Sequence, residues 1–339
     1  MMLHAKSQQR GFTMVELLVA LVISLIIALA AISALTVTRQ GFTTVDASSQ
    51  LRDNGRFASD LIQRIAVQSG FKDIFYATQP PTPAEIAANI APNITGFNNA
   101  TSNSSDPLNS FTARTAGTDG YGSDILILRY QTVKLNSDPN STLSDKSMID
   151  CMGNASLAAP PFRTTRMANI LHVAPSSDGE LSLMCSTVDA AGVKSGPQPI
   201  IQGVENFQVL YGTDGVTANT APSPRLAASD ATYPPNRYLR ADQMTVTGTG
   251  GAVATNDNWR RVRSIRIGMV LRGPANSAQE KIAQILYPFG KGKSSSTAAD
   301  GSALSDAAND PGTVFSAPAD GRLRQIVTFT VHLRNDQSL

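Results

Sequence analysis

Residues 8–35 read QQRGFTMVELLVALVISLIIALAAISAL, and this stretch decides the architecture. A short leader ends at Gly11, and Phe12 opens a run to Leu35 that carries one charge, Glu16. Those 24 residues make a helix about 36 Å long at roughly 1.5 Å per residue, enough to cross a hydrocarbon core of about 30 Å. Lys6 and Arg10 precede the run with no acidic residue beside them, which predicts a cytoplasmic N-terminus and a chain whose bulk lies across the membrane. An ordinary secretory signal has a shorter apolar core and a small-residue cleavage site after it. Here the cleavage-like glycine comes first, so the apolar run stays in the mature chain. A plain N-terminal anchor is the competing reading.

Glu16 is the residue that a plain anchor leaves unexplained. A carboxylate inside a span costs about 2.5–3.5 kcal/mol on insertion scales and ordinarily has a partner. No Lys or Arg lies within one helical turn of it. A headgroup-level glutamate that snorkels or takes up a proton is the bland alternative.

Beyond Leu35 the sequence continues as TVTRQGFTTVDASSQLRDNGRFASDLIQRIAVQSG, with no proline before Pro80. Ala47, Leu51, Ala58, Leu61, Ile62 and Ile65 fall near three-four spacing, which predicts one apolar face. We read one helix from about Phe12 to Ser69, bent or broken at Gly41 or Gly55, with Gly70 as its stop signal. Residues 1–11 form a leader, 12–35 a spanning segment, 36–69 its amphipathic continuation, and 70–339 a β-rich globular domain.

Within that domain Ile125–Tyr130, 167–174, 181–186, Val204–Tyr211, Val262–Arg272 and Leu323–Leu333 read as strands, the second and third as a hairpin across PSSDGE. Residues 78–120, 213–260 and 290–321 read as long loops, with at most one short helix near 83–90. No helical pattern separates the strands, so the sheet is expected to be mainly antiparallel. The fold class is therefore α+β.

The order of leader, glycine, aromatic, three uncharged residues, glutamate and long apolar run resembles the class III signal of type IV prepilins and type II secretion pseudopilins. Downstream, GSDILILRY at 122–130, GVENFQVLYGTD at 203–214, RYLRAD at 237–242, VRSIRIGMVLR at 262–272 and RLRQIVTFTVHLRN at 322–335 resemble the PilW family of minor pilins. The resemblance implies a pilin-like fold. It implies cleavage after Gly11 by a prepilin peptidase and methylation of the new amine on Phe12. It supplies Glu16 with a partner, the methylated and still positive amine of Phe12 on its own chain or on a neighbouring subunit. It further implies a non-enzymatic role in priming or tip assembly of type IV pili, supporting twitching motility, adhesion or DNA uptake. The expected partners are other minor pilins, the major pilin and a tip adhesin, met in the inner membrane and then in the pilus. The J-type minor pseudopilin of type II secretion shares the plan and is the alternative.

Cys151 and Cys185 both fall in the part expected to be periplasmic, where an oxidising compartment favours a disulfide over two free buried thiols. His172 and His332 show no ligand spacing with a cysteine and read as strand histidines, so no metal site and no cofactor is expected. No nucleophile elbow, phosphate loop or zinc-helix motif occurs, which argues against an enzyme. TDGYGSD at 118–124 has carboxylates and glycines suited to calcium but lacks the regular spacing of such a loop, so a plain turn is the better reading. Arg260, Arg261, Arg263, Arg266 and Arg272 could form a DNA-binding stripe, yet Arg266 and Arg272 alternate with apolar residues as on the solvated face of a strand. The net charge of +2 includes Lys6 and Arg10, so the chain without its leader is near neutral and DNA is not expected as a direct ligand.

Mass spectrometry of the membrane form should find N-methyl-Phe12 as the first residue. An intact leader, or cleavage beyond residue 30, would refute the processing reading.

Overall fold

A computed structural model describes residues 11–224, 234–292, 301–306, 308–335 and 337. Residues 1–10 of the leader, with Lys6 and Arg10, lie outside the described residues. Helix α1 spans Met14–Gln68 as 55 continuous residues. Two short helices follow, α2 (Ile74–Ala77) and α3 (Pro83–Ala87). Then come β1 (Ile94–Phe97), β2 (Ala100–Ser102), β3 (Phe111–Ala113), β4 (Ile125–Tyr130), β5 (Met167–Pro175), β6 (Leu181–Val188), β7 (Lys194–Gln202), β8 (Val204–Thr213) and β9 (Arg237–Leu239). Helix α3 is capped at its start by Thr82 and Glu85. Helix α4 (Gly251–Trp259) precedes β10 (Val262–Arg272), β11 (Gln284–Leu286), β12 (Phe315–Ala317) and β13 (Arg324–His332).

One sheet has the order β1-β4-β5-β6-β7 and a second the order β13-β10-β8-β9, with every pairing antiparallel. Strands β2 with β3 and β11 with β12 make two small ribbons. The β5–β6 hairpin turns across the expected PSSDGE segment.

Period-two alternation explains how β4 joins two cores. Leu126 and Leu128 face the main core with Leu171, Leu183, Phe207, Val209, Ile265, Ile267 and Met269. Ile125 and Ile127 face a second core with Ala100, Ala168, Ile170 and Val188. Residues 94–113, expected to lie in a loop, supply the cover of that second core through β1, β2, Phe97 and Leu108. Their strands are three or four residues long and gain stability from the sheet they cover, so they leave little periodic signal. Strand β7 was equally silent because KSGPQPIIQ carries two prolines, which confine it to a sheet edge.

Ser123 and Asp124, just before β4, fasten the first sheet to the second. The Asp124 N–H donates to the Phe207 carbonyl at 2.8 Å, and the Val209 N–H donates to Asp124 Oδ2 at 2.8 Å. The Phe207 N–H donates to Ser123 Oγ at 3.2 Å. These bonds satisfy the edge of β8 where β9 does not reach it.

The first half of α1 is exposed on all sides, and its second half buries Ala47, Leu51, Gly55, Ala58, Ile62, Ile65 and Ala66 against the domain. The predicted break does not occur. A single glycine costs a helix only about 1 kcal/mol relative to alanine, and Gly55 has a packing reason. A Cβ there would stand 2.8 Å from Val327 Cγ2 and 3.5 Å from Leu271 Cδ1. Gly41 has nothing within 4 Å.

These two glycines should therefore respond oppositely to alanine. Gly41→Ala should leave the melting temperature unchanged or raise it, by up to about 1 kcal/mol of helix propensity. Gly55→Ala should destabilise by about 1–2 kcal/mol, overpacking outweighing propensity. Thermal unfolding of both variants by circular dichroism checks the contrast.

Candidate functional site

The start of α1 is built by a reciprocal cap. Thr13 has extended backbone, and the Glu16 N–H donates to its Oγ1 at 3.3 Å. The Thr13 N–H and hydroxyl each donate to Glu16 Oε2 at 3.0 Å. This Thr-x-x-Glu capping box satisfies two of the donors that a helix start otherwise leaves open. It was legible in the sequence, and it gives Glu16 a local role that does not need an amine. The two bonds that reach the carboxylate both use Oε2.

Phe12 stands one residue before the cap and is 88% exposed. A positive amine there would sit at the positive end of the helix dipole, an unfavourable place without a nearby carboxylate. Glu16 is the acidic residue in that first turn.

The polar residues in the apolar run are satisfied within the helix. Ser24 and Ser33 donate to the Ala20 and Leu29 carbonyls at 2.7 and 2.8 Å, and Thr36 and Thr38 to Ser33 and Ala34 at 2.8 Å. Such a segment exposes no unmet hydrogen-bonding group to lipid. It is the one helix among the described residues long and apolar enough to cross a membrane.

A disulfide joins Cys151 to Cys185 on β6, with Cα atoms 6.1 Å apart. It pins the 143–158 segment to the first sheet, where the Cys151 N–H also donates to Asn169 Oδ1 at 3.0 Å. His172 is buried in β5, its Nε2 3.5 Å from Ser186 Oγ, and burial beside Arg114 pushes its pKa down to about 4. His332 ends β13 at the surface.

The arginines read as a stripe do not form one. Arg260 pairs with Asp257 at 2.8 Å and donates to the Ile90 carbonyl at 2.8 Å. Arg272 lies between Glu180 at 2.7 Å and Glu205 at 3.1 Å. Arg324 completes the network with Glu205 and Asp320, both at 2.6 Å, and Arg322 reaches Glu180 at 3.2 Å. Three acids and three bases thus tie the ends of β6, β8, β10 and β13 together. The outer face of β10 is also covered rather than solvated, since a Cβ at Gly268 would meet Pro288 at 2.8 Å.

TDGYGSD ends in the buried Asp124, which turns into the domain. Among the described residues no group of three or more His, Cys, Asp or Glu side chains is placed to hold a metal. Asp124 instead stands beside Asp310, also buried. With its amide nitrogen toward them, Asn98 donates to both carboxyls at 2.9 and 3.0 Å.

The same chain was compared with known proteins. The profile described as Prokaryotic N-terminal methylation motif matches residues 6–32. The profile of the PilW family, described as Type IV Pilus-assembly protein W, matches residues 170–335. Together the two matches support a PilW-family type IV minor pilin. The PilW match runs from β5 past β13, so it includes the whole second sheet, whereas GSDILILRY at 122–130 lies before it. Among solved structures, the Type IV-like pilin TTHA1219 from Thermus thermophilus aligns over 85% of this chain and 98% of its own, at 14% identity and a TM-score of 0.39. No curated protein matches. The two profile matches, with a long apolar helix on an antiparallel β domain, make this a pilin-like protein, and the PilW family is one of pilin-like structural proteins.

The buried acid pair makes stability depend on pH. Burial raises Asp310 to about 6, and burial beside Asp310 raises Asp124 well above its ordinary value. A raised pKa means that the folded state holds the proton more tightly than the unfolded chain. That contribution is full below about pH 4 and is lost as pH rises through about 6. Melting curves between pH 4 and 7 should show Asp310→Asn gaining on the parent as pH rises. Parallel curves would show that the pair does not titrate in this range.

Proposed function

We propose that this PilW-family minor pilin primes the assembly of type IV pili from the inner membrane and is carried at the pilus tip. The observation that carries the reading is the division of α1. Its first half is apolar and exposed on every side, and its second half buries one face in its own domain. An isolated chain gains nothing from a helix exposed in this way. A bilayer first, and a bundle of similar helices afterwards, would cover it. In this reading the chain crosses the inner membrane once, with its β domain in the periplasm. Prepilin peptidase cuts between Gly11 and Phe12, and Glu16 meets the Phe12 amine of its own or a neighbouring subunit.

Oε1 of Glu16 is the atom suited to that amine, because the capping box already uses Oε2. The partners are other minor pilins and the major pilin, and a tip adhesin where one exists. Twitching, attachment and DNA uptake follow from the filament, and the role of the chain itself is non-enzymatic. The disulfide fits a periplasmic domain, since such bonds persist in oxidising compartments.

Deletion of the gene should reduce surface pili and twitching, and a copy lacking residues 12–35 should not restore them. If the deletion leaves piliation normal but blocks protein export, the J-type pseudopilin reading replaces this one. Glu16→Ala should preserve membrane insertion, removing a charge that costs about 2.5–3.5 kcal/mol in a span. It should reduce piliation and co-purification with companion pilins. Glu16→Gln separates the two roles of the side chain, since its amide oxygen keeps the cap but loses the charge. Full piliation in both variants would remove the amine pairing from the mechanism.

A further inference from the structure

Arg39 is the first charged side chain on α1 after Glu16, and it stands exposed just past the apolar run that ends at Leu35. Among the described residues it belongs to no ion pair. At roughly 1.5 Å per residue its Cα lies about 6 Å beyond Leu35 along the helix. The headgroup layer of a bilayer is about 5–7 Å deep on each side of the hydrocarbon core. In the single-pass reading proposed above, on which this inference rests, Arg39 therefore lies at the level of the lipid phosphates. Helix side chains also tilt toward the N-terminus, which is here the membrane side.

Arg39 lines a cavity of about 380 Å³, within the roughly 300–1,000 Å³ of small-ligand sites. Thr43 and Asp46 of α1 share its wall, and residues 274–277 after β10 form the opposite one. That second wall is held at both ends. The Thr44 hydroxyl donates to the Ser277 carbonyl at 3.0 Å, and the Leu323 N–H donates to Ser277 Oγ at 2.9 Å. The Ala278 N–H donates to the Gly321 carbonyl at 2.9 Å. Asp46 is exposed, and Gln50 donates to its Oδ2 at 2.9 Å, which leaves Oδ1 to the cavity. Arg39 and Asp46 are two turns apart on one side of the helix, about 10 Å along its axis, with the cation nearer the bilayer.

We infer that this cavity binds the headgroup of a zwitterionic phospholipid of the phosphoethanolamine class, taken from the periplasmic leaflet. The two charges of the cavity cancel, which suits a ligand without net charge. Their order is that of the lipid: the phosphate is joined to the glycerol next to the hydrocarbon, and the ammonium hangs beyond it. Arg39 meets the phosphate through charge-assisted hydrogen bonds. Asp46, its carboxylate tilted back toward the bilayer, accepts from the ammonium N–H groups. A trimethylated ammonium has no such donor, so the site separates ethanolamine from choline lipids.

The test places the full-length processed protein in nanodiscs of equal phosphatidylethanolamine and phosphatidylcholine, then counts the lipids it retains by native mass spectrometry. The parent should retain phosphatidylethanolamine over phosphatidylcholine by about tenfold, the size of one hydrogen bond to a charged group. Asp46→Asn should bring that ratio near one, and Arg39→Gln should reduce retention of both lipids. Asp60→Asn, at an exposed carboxylate farther along α1, should change neither. All three side chains are exposed, so each variant should melt with the parent. Equal retention of the two lipids by the parent, or an undiminished preference in folded Asp46→Asn, would overturn the inference. Displacement of the lipid by soluble glycerophosphoethanolamine at matched concentration would also overturn it, reassigning the site to free headgroups. A chain that does not enter nanodiscs at all would instead refute the single-pass reading.

Discussion

One packed face organises this protein: Ala47, Leu51, Gly55, Ala58, Ile62, Ile65 and Ala66 of α1 against the β domain. Both sheets meet that face, since Leu126 and Leu128 of β4 and Ile267 and Leu271 of β10 share its core. Small residues at 47, 55, 58 and 66 let the backbone of the sheet approach, and the larger ones interlock beside them. Removing this face from water holds the long helix at a fixed angle to the domain. The apolar half then projects free of it. A helix of this length is stabilised less by propensity than by such packing.

Charge is handled differently at each place. At the start of α1, Glu16 is held by Thr13 in a bonded cap. Around Glu205 the domain balances three acids with three arginines, and Arg324 is 1% exposed in its side chain. Desolvation there is offset because each carboxylate accepts from more than one guanidinium, and removing Glu205 alone would leave Arg272 with only Glu180 and Arg324 with only Asp320.

The sequence was most legible where a residue pattern repeats over many turns. The helix was expected to end at Ser69, which is its C-cap, and the six long strands were readable from apolar alternation. What escaped were elements whose existence depends on tertiary cover: β1 to β3 over Ile125 and Ile127, the proline-bearing β7, and α4. Gly55 looked like a break because its reason, Val327, is remote in sequence. At the candidate site Gly11, Phe12 and Glu16 stood out by pattern, while the Thr13 cap needed only the residue before the helix. The arginine run read as a solvated face because Glu180, Glu205 and the Ile90 carbonyl, which it meets, come from other segments.

Gly55 meets Val327, and farther along Asn335 Nδ2 donates to the Val67 and Ser69 carbonyls, each at 3.0 Å. Helix and final strand therefore advance in the same direction, side by side, to a shared end. Tension applied along the helix axis would load this seam in shear, with every contact along it resisting at once. A perpendicular pull would instead open the contacts one after another. The geometry is that of a lap joint, suited to a subunit whose anchor and head are drawn apart along a filament axis.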